Sequence, residues 1–133
     1  MKILTFFAFA LLGMFPLSAF AFGLDEKVAE CDNPSVLKTI DKRFDHAFLN
    51  KNTIAIEGIA KMHEHRFEAA TTRSPIARRY CGAVATMSDG HERIMWYLIE
   101  DGMGLAGIHD NVEFCVSGLD PMRAYDGRCR VLK

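Results

Sequence analysis

Residues 80–99 read YCGAVATMSDGHERIMWYLI, two apolar runs joined by Ser88-Asp89-Gly90. Asp-Gly between two apolar runs signals a hairpin, because glycine accepts the positive φ that a tight turn between twisted strands requires. The pattern predicts a strand over Tyr80–Met87, a turn, and a returning strand over Ile94–Ile99. That returning strand is apolar on both faces. Ile94, Trp96 and Leu98 alternate with Met95, Tyr97 and Ile99, and successive side chains of a strand point to opposite sides. Such a strand is central in its sheet and must be covered twice. A helix supplies one cover; the other has to be the long loops, a curl of the sheet, or a second copy of the protein.

The helix lies upstream, over Asn33–Asn50. Asn33 suits the cap, Pro34 the first helical position, and Val36, Leu37, Ile40, Phe44, Ala47 and Phe48 recur at helical spacing on one face. Lys38, Asp41, Lys42, Arg43 and Asp45 fill the rest of its surface, so one apolar stripe is laid against something flat. Asn50-Lys51-Asn52 ends it. From Ile54 the chain is briefly β-branched and alternating, and Ile59–Glu68 continues as a longer polar strand with weaker alternation. Thr71–Pro75 and Gly102–Gly107 read as loops, Val112–Ser117 as a fourth strand, and Asp120-Pro121 as the start of a short helical turn ending before Gly127. One helix and a meander of about four antiparallel strands make an α+β domain. Its layout is similar to that of cystatin-like folds in element order alone, and a shared layout carries no function.

The N-terminus gives the compartment. Lys2, the apolar run Ile3–Phe15, Pro16 and Ala19-Phe20-Ala21 follow the order of a secretory signal peptide cut after Ala21. An uncleaved anchor is the competing reading, since about 20 apolar residues span a bilayer; Pro16 and the A-x-A site speak against it. No cysteine directly follows the apolar run, as a lipoprotein site would require. The expectation is residues 1–21 as leader and 22–133 as one secreted or periplasmic domain, without stable membrane insertion after cleavage. Cleavage would remove Lys2 and no acid, so 16 basic and 17 acidic residues become 15 and 17. A near-neutral chain lacks the basic excess of a nucleic-acid binder.

In an oxidising compartment Cys31, Cys81, Cys115 and Cys129 read as two disulfides. Three pairings exist. The favoured one joins Cys115 to Cys129, because the segment between them contains Gly118, Pro121 and Gly127 and turns back easily, which leaves Cys31 with Cys81. The runner-up joins Cys31 to Cys129 and Cys81 to Cys115. Each bridge contributes roughly 2–4 kcal/mol by restricting the unfolded chain. A redox or zinc motif would need C-x-x-C, and the nearest pair is 14 residues apart.

Several residues carry candidate chemistry. Gly102-Met103-Gly104-Leu105-Ala106-Gly107 matches G-x-G-x-x-G after a predicted strand, but His109-Asp110-Asn111 leads into another strand and no helix opens to receive a pyrophosphate. It reads as a turn, and no cofactor is expected. His63 and His65 share a strand face and can hold one metal ion if His91 supplies a third ligand. Without it they are solvated side chains among Lys61, Arg66 and Glu68. Arg66, Arg73, Arg78 and Arg79 make the middle of the chain locally basic, suited either to an anionic lipid head group, polysaccharide or acidic protein face, or simply to water. No G-x-S-x-G elbow is present, and no serine has a recognisable catalytic setting.

The sequence therefore points to a small exported, disulfide-stabilised, non-enzymatic domain that binds a protein or envelope component, possible as a homodimer. Its candidate surfaces are the arginine-rich segment and whichever of Trp96 or Tyr97 the sheet leaves open. The competing class is a periplasmic metal-binding protein or small metal-dependent hydrolase using His63, His65 and His91.

Overall fold

The structure, a computed structural model, describes residues 28–47, 54–120 and 122–133. The expected leader over residues 1–21, Phe48 and the helix stop at Asn50-Lys51-Asn52 lie outside these residues. Helix α1 spans Pro34–His46. Its start is as the sequence indicates: the Asn33 side chain accepts the Ser35 N–H at 2.9 Å, and Pro34 opens the first turn where no donor is needed. Four strands follow, β1 (Ile56–Glu68), β2 (Arg78–Met87), β3 (Glu92–Glu100) and β4 (Asn111–Val116). They form one antiparallel sheet in the order β1-β2-β3-β4. The fold is α+β, one helix packed on a four-stranded sheet, with disulfides Cys31–Cys81 and Cys115–Cys129.

The hairpin at residues 88–90 has three loop residues, with the Met87 N–H bonded to the His91 carbonyl and Gly90 at φ +80°. Glycine takes this left-handed conformation without the strain other residues meet. Asp89 holds it from the side chain, accepting the His91 N–H at 3.0 Å and both terminal nitrogens of Arg93 at 2.9 and 2.6 Å. Those bonds keep the Asp89 carboxyl well below the usual carboxylate range, the Arg93 guanidinium contributing most.

On the first face of the sheet, α1 lays Val36, Ile40 and Phe44 over Ala83, Ala85, Met87, Met95, Tyr97, Ile99, Val112 and Val116, all buried. Tyr97 is completely enclosed and donates its hydroxyl to the Cys31 carbonyl at 2.6 Å. The segment before the helix is thus tied to the sheet twice, by this bond and by the bridge to Cys81.

Strand β1 departs from simple alternation. Its register against β2 shifts at Ile56/Gly58, Ala60/His63 and Glu64/Arg66, with Lys61 in the left-handed region at φ +56°. Each β-bulge adds one residue and re-aims the side chains that follow. As a result Ile56, Ile59 and Met62 all reach the helix-side core at a spacing of three instead of two.

The second cover of β3 is the chain's own C-terminal segment. Tyr80, Leu98 and Cys115 on the second face pack with Cys129 and Leu132, flanked by Trp96 and Tyr125. The helical turn expected from Asp120 to before Gly127 does not form. The Asp120 carboxylate instead accepts the N–H groups of Ala124, Tyr125 and Gly127 at 2.8, 2.9 and 3.1 Å, and Arg123, Asp126, Gly127 and Cys129 take positive φ. This coil returns Cys129 to Cys115, and a short 3-10 turn over Arg130–Leu132 delivers Leu132 to the sheet. Among the described residues no helix is long and apolar enough to cross a membrane.

Candidate functional site

The C-terminal cover is incomplete. It encloses Leu98 and Tyr80 but leaves Trp96 partly open and Ile94 54% exposed on the same face. Trp96 pairs with Gly82 on β2, and Gly82 pairs with His63 on β1. Because residue 82 has no side chain, the row His63–Gly82–Trp96 has a gap at its centre. The His63 imidazole fills it: a β-carbon on residue 82 would stand 2.7 Å from two ring atoms of His63 and 3.1 Å from the Trp96 ring. The bulge at Glu64/Arg66 brings His65 over the same indole. Both imidazoles meet Trp96 edge-on, with centroids 6.4 Å (His63) and 5.3 Å (His65) away.

Cations complete the surroundings. The Lys133 ammonium lies 5.5 Å from the Trp96 ring centroid, and the Arg66 guanidinium 3.9 Å above the ring of Tyr80, both within cation–π range. Arg66 is also paired with Glu68 at 3.3 Å, whereas no carboxylate pairs with Lys133 among the described residues. His63 lies 3.0 Å through Nδ1 from the Lys61 carbonyl. A carbonyl only accepts, so Nδ1 donates and the ring is fixed as a wedge between β1 and Trp96. His65 and Lys133, both exposed, are the polar groups at the rim.

The four arginines do not form a patch. Neighbours in a strand point to opposite faces, so Arg78 and Arg79 part company at once. Arg78 binds Glu100 at 2.9 Å and the Ser74 hydroxyl at 3.0 Å. Arg79 is only 13% exposed; it binds Glu30 and Glu64 and lies over the Phe67 ring, and its Nε is buried without a hydrogen-bond partner among the described residues. Arg73 is exposed in the loop over residues 69–77. Arg66 and Arg78 both lie on the Trp96 face, but Arg78 stands at its far end, level with Glu100. Tyr97 is a core residue on the opposite side of the sheet, so of the two aromatic candidates Trp96 alone reaches the surface.

The third histidine does not join the other two. His91 lies past the Thr86↔Glu92 end of the ladder, whereas His63 sits level with Gly82. Gly82 to Met87 is five residues, on the order of 17 Å at strand rise, and a metal ion bonds its nitrogens at about 2 Å. Among the described residues, no three histidine, cysteine, aspartate or glutamate side chains gather where they could hold a metal ion. Of the three histidines His63, His65 and His91, the fold brings together only the first two, which pack on Trp96.

The glycine fingerprint is a turn, as its sequence context implies. Gly102 and Gly107 take φ +60° and +69°, a short 3-10 turn covers Leu105–Gly107, and a β-carbon on residue 104 would collide with the His109 carbonyl. Beside this turn and the first half of α1 runs a groove of about 890 Å³, floored by Val36 and Val112 and edged by Leu105 and Ile108, which are 91% and 73% exposed. Comparison with protein-family models, curated proteins and solved structures found nothing that matches this chain.

Proposed function

We propose that the chain is a small exported, disulfide-stapled, non-enzymatic domain that binds an envelope component on the open part of its second sheet face, around Trp96. One observation carries this reading: the sole tryptophan is left partly open beside a glycine, wedged by His63 and rimmed by His65 and Lys133. An indole edged by polar groups that can meet a ligand's own polar atoms has the composition of a binding anchor. Two buried bridges suit the oxidising compartment that the leader-like N-terminus implies. A catalytic reading would need a nucleophile or a base with a partner, and the polar groups at this face are arranged around a ring instead.

The test is retention from an envelope extract on the immobilised oxidised protein, run in parallel with Trp96→Ala, its folding checked by circular dichroism. The expected result is a retained component that Trp96→Ala loses. Equal retention by both proteins, or none by the parent, contradicts the proposal.

A further inference from the structure

We infer that the coil after β4 carries a second binding site, one for a phosphate group, formed by the guanidiniums of Arg123, Arg128 and Arg130 and independent of Trp96. Residues 120–133 read DPMRAYDGRCRVLK, four basic side chains against two acidic ones, so the segment stays positive even when a terminal carboxylate is set against Lys133. A cavity of about 480 Å³ opens in it, lined by Asp120, Arg123, Asp126, Gly127, Arg128 and Arg130. The coil around it is held in place: Asp120 accepts three backbone N–H groups, Cys129 is bridged to Cys115, and Leu132 is buried. The Arg123 side chain lies across Gly127, its Nε 3.2 Å from where a β-carbon would stand. The bare backbone at residue 127 thus makes room for it, and a cation set in place beforehand loses less entropy when it binds.

The charges of the lining select the ligand. Asp126 pairs with Arg130 at 2.7 Å, and both oxygens of Asp120 accept from the coil's own N–H groups. Arg123 and Arg128 are left with no carboxylate partner among the described residues. Beyond the lining, Glu113 and Arg43 act on the neighbouring Tyr125 with opposite signs. Three guanidiniums against two carboxylates favour an anion. A carboxylate ligand presents one edge, which a single guanidinium fork covers. A phosphate presents pairs of oxygens in several directions and carries about −1.5 to −2 charge near neutral pH, so it can meet the forks of Arg123 and Arg128 together and draw Arg130 from Asp126. That ion pair is solvent-exposed on both sides, and exposed pairs contribute little, so it yields to a more highly charged ligand.

The oxidised protein is titrated with sodium phosphate at constant ionic strength while the Gly127 amide and the arginine side-chain N–H groups are followed by NMR, with sodium acetate as the matched control. Phosphate is expected to give saturable shifts at Arg123, Arg128 and Gly127 that acetate does not reproduce. Arg123→Ala and Arg128→Ala are each expected to weaken binding by about tenfold, the loss of one charge-assisted contact. Both side chains are exposed, so neither variant threatens folding. Asp126→Asn is expected to strengthen binding by about three- to fivefold, since Arg130 loses its competing carboxylate. Absence of saturable shifts, equal shifts with acetate, or an affinity unchanged in both arginine variants overturns the phosphate site. Cosedimentation with phosphatidylcholine vesicles containing phosphatidic acid names the source of the phosphate. Retention that Arg128→Ala loses assigns a lipid head group, and phosphate binding without retention assigns a soluble phosphate.

Discussion

The imidazole of His63 occupies the space in which a side chain of residue 82 would begin. Glycine at this point of a central strand is unfavourable by backbone entropy, so it is the neighbouring packing that makes it fit. Gly82→Ala should push His63 off Trp96 and into solvent, since the clashing atoms are the far end of a mobile side chain. Thermal stability should change by about 1 kcal/mol or less, the gain in strand propensity offsetting the lost contact. Trp96 emission should move with it. An unaltered emission spectrum in Gly82→Ala would mean that His63 does not define the environment of the ring.

The bridge Cys115–Cys129 closes a 14-residue separation and holds the C-terminal segment over Tyr80 and Leu98. Replacing both cysteines by alanine should cost about 3 kcal/mol. It should also raise binding of a hydrophobic dye under native conditions, because the second face loses its cover. A variant as stable as the parent and inert to the dye would show that the segment stays down without its staple.

Tyr97 makes stability depend on alkaline pH. Burial pushes its hydroxyl above the ordinary tyrosine range, with the Asp32 charge adding to it. The folded pKa therefore exceeds the unfolded value of about 10, so this contribution is complete below about pH 10 and is lost as pH rises further. Tyr125 is shifted in the same direction, chiefly by burial. Tyr97→Phe should lose about 1 kcal/mol at neutral pH, the bond to the Cys31 carbonyl, yet show a shallower fall in Tm above pH 10. A parallel fall in both proteins would assign the alkaline transition elsewhere.

Two glycines make a matched pair. A β-carbon on Gly104 would strike the His109 carbonyl, whereas one on Gly58 meets nothing within 4 Å. Backbone cannot swing aside as a side chain does, so Gly104→Ala should destabilise by about 1–3 kcal/mol and Gly58→Ala by almost nothing. Equal melting temperatures for the two variants would contradict the tight packing of this turn.

Much of the fold is legible in local pattern because local chemistry decides it. Asn33-Pro34 announces α1, Asp89-Gly90 the hairpin, and the doubly apolar run Ile94–Ile99 a strand needing two covers. Strand β1 is harder to read for a definite reason. Three bulges turn its buried positions Ile56, Ile59 and Met62 into a spacing that belongs to no regular strand. The coil after residue 119 misleads in another way: the Asp120 carboxylate organises three backbone N–H groups that a helix would otherwise use. The His-x-His pair was visible, but its partner was not. Strand register sets Trp96 opposite Gly82 and His63, and register depends on bulges that no short motif announces. The same alternation that separates Trp96 from Tyr97 divides Arg78 from Arg79, and it dissolves a basic patch that looks continuous in one dimension.

The central claim, that the open second face around Trp96 is where this domain binds, is tested most directly by acrylamide quenching of its single tryptophan with and without the retained envelope component. Binding at this face predicts a quenching constant that falls on saturation, as the ligand covers the indole. A retained component that leaves Trp96 as accessible as in the free protein would contradict it.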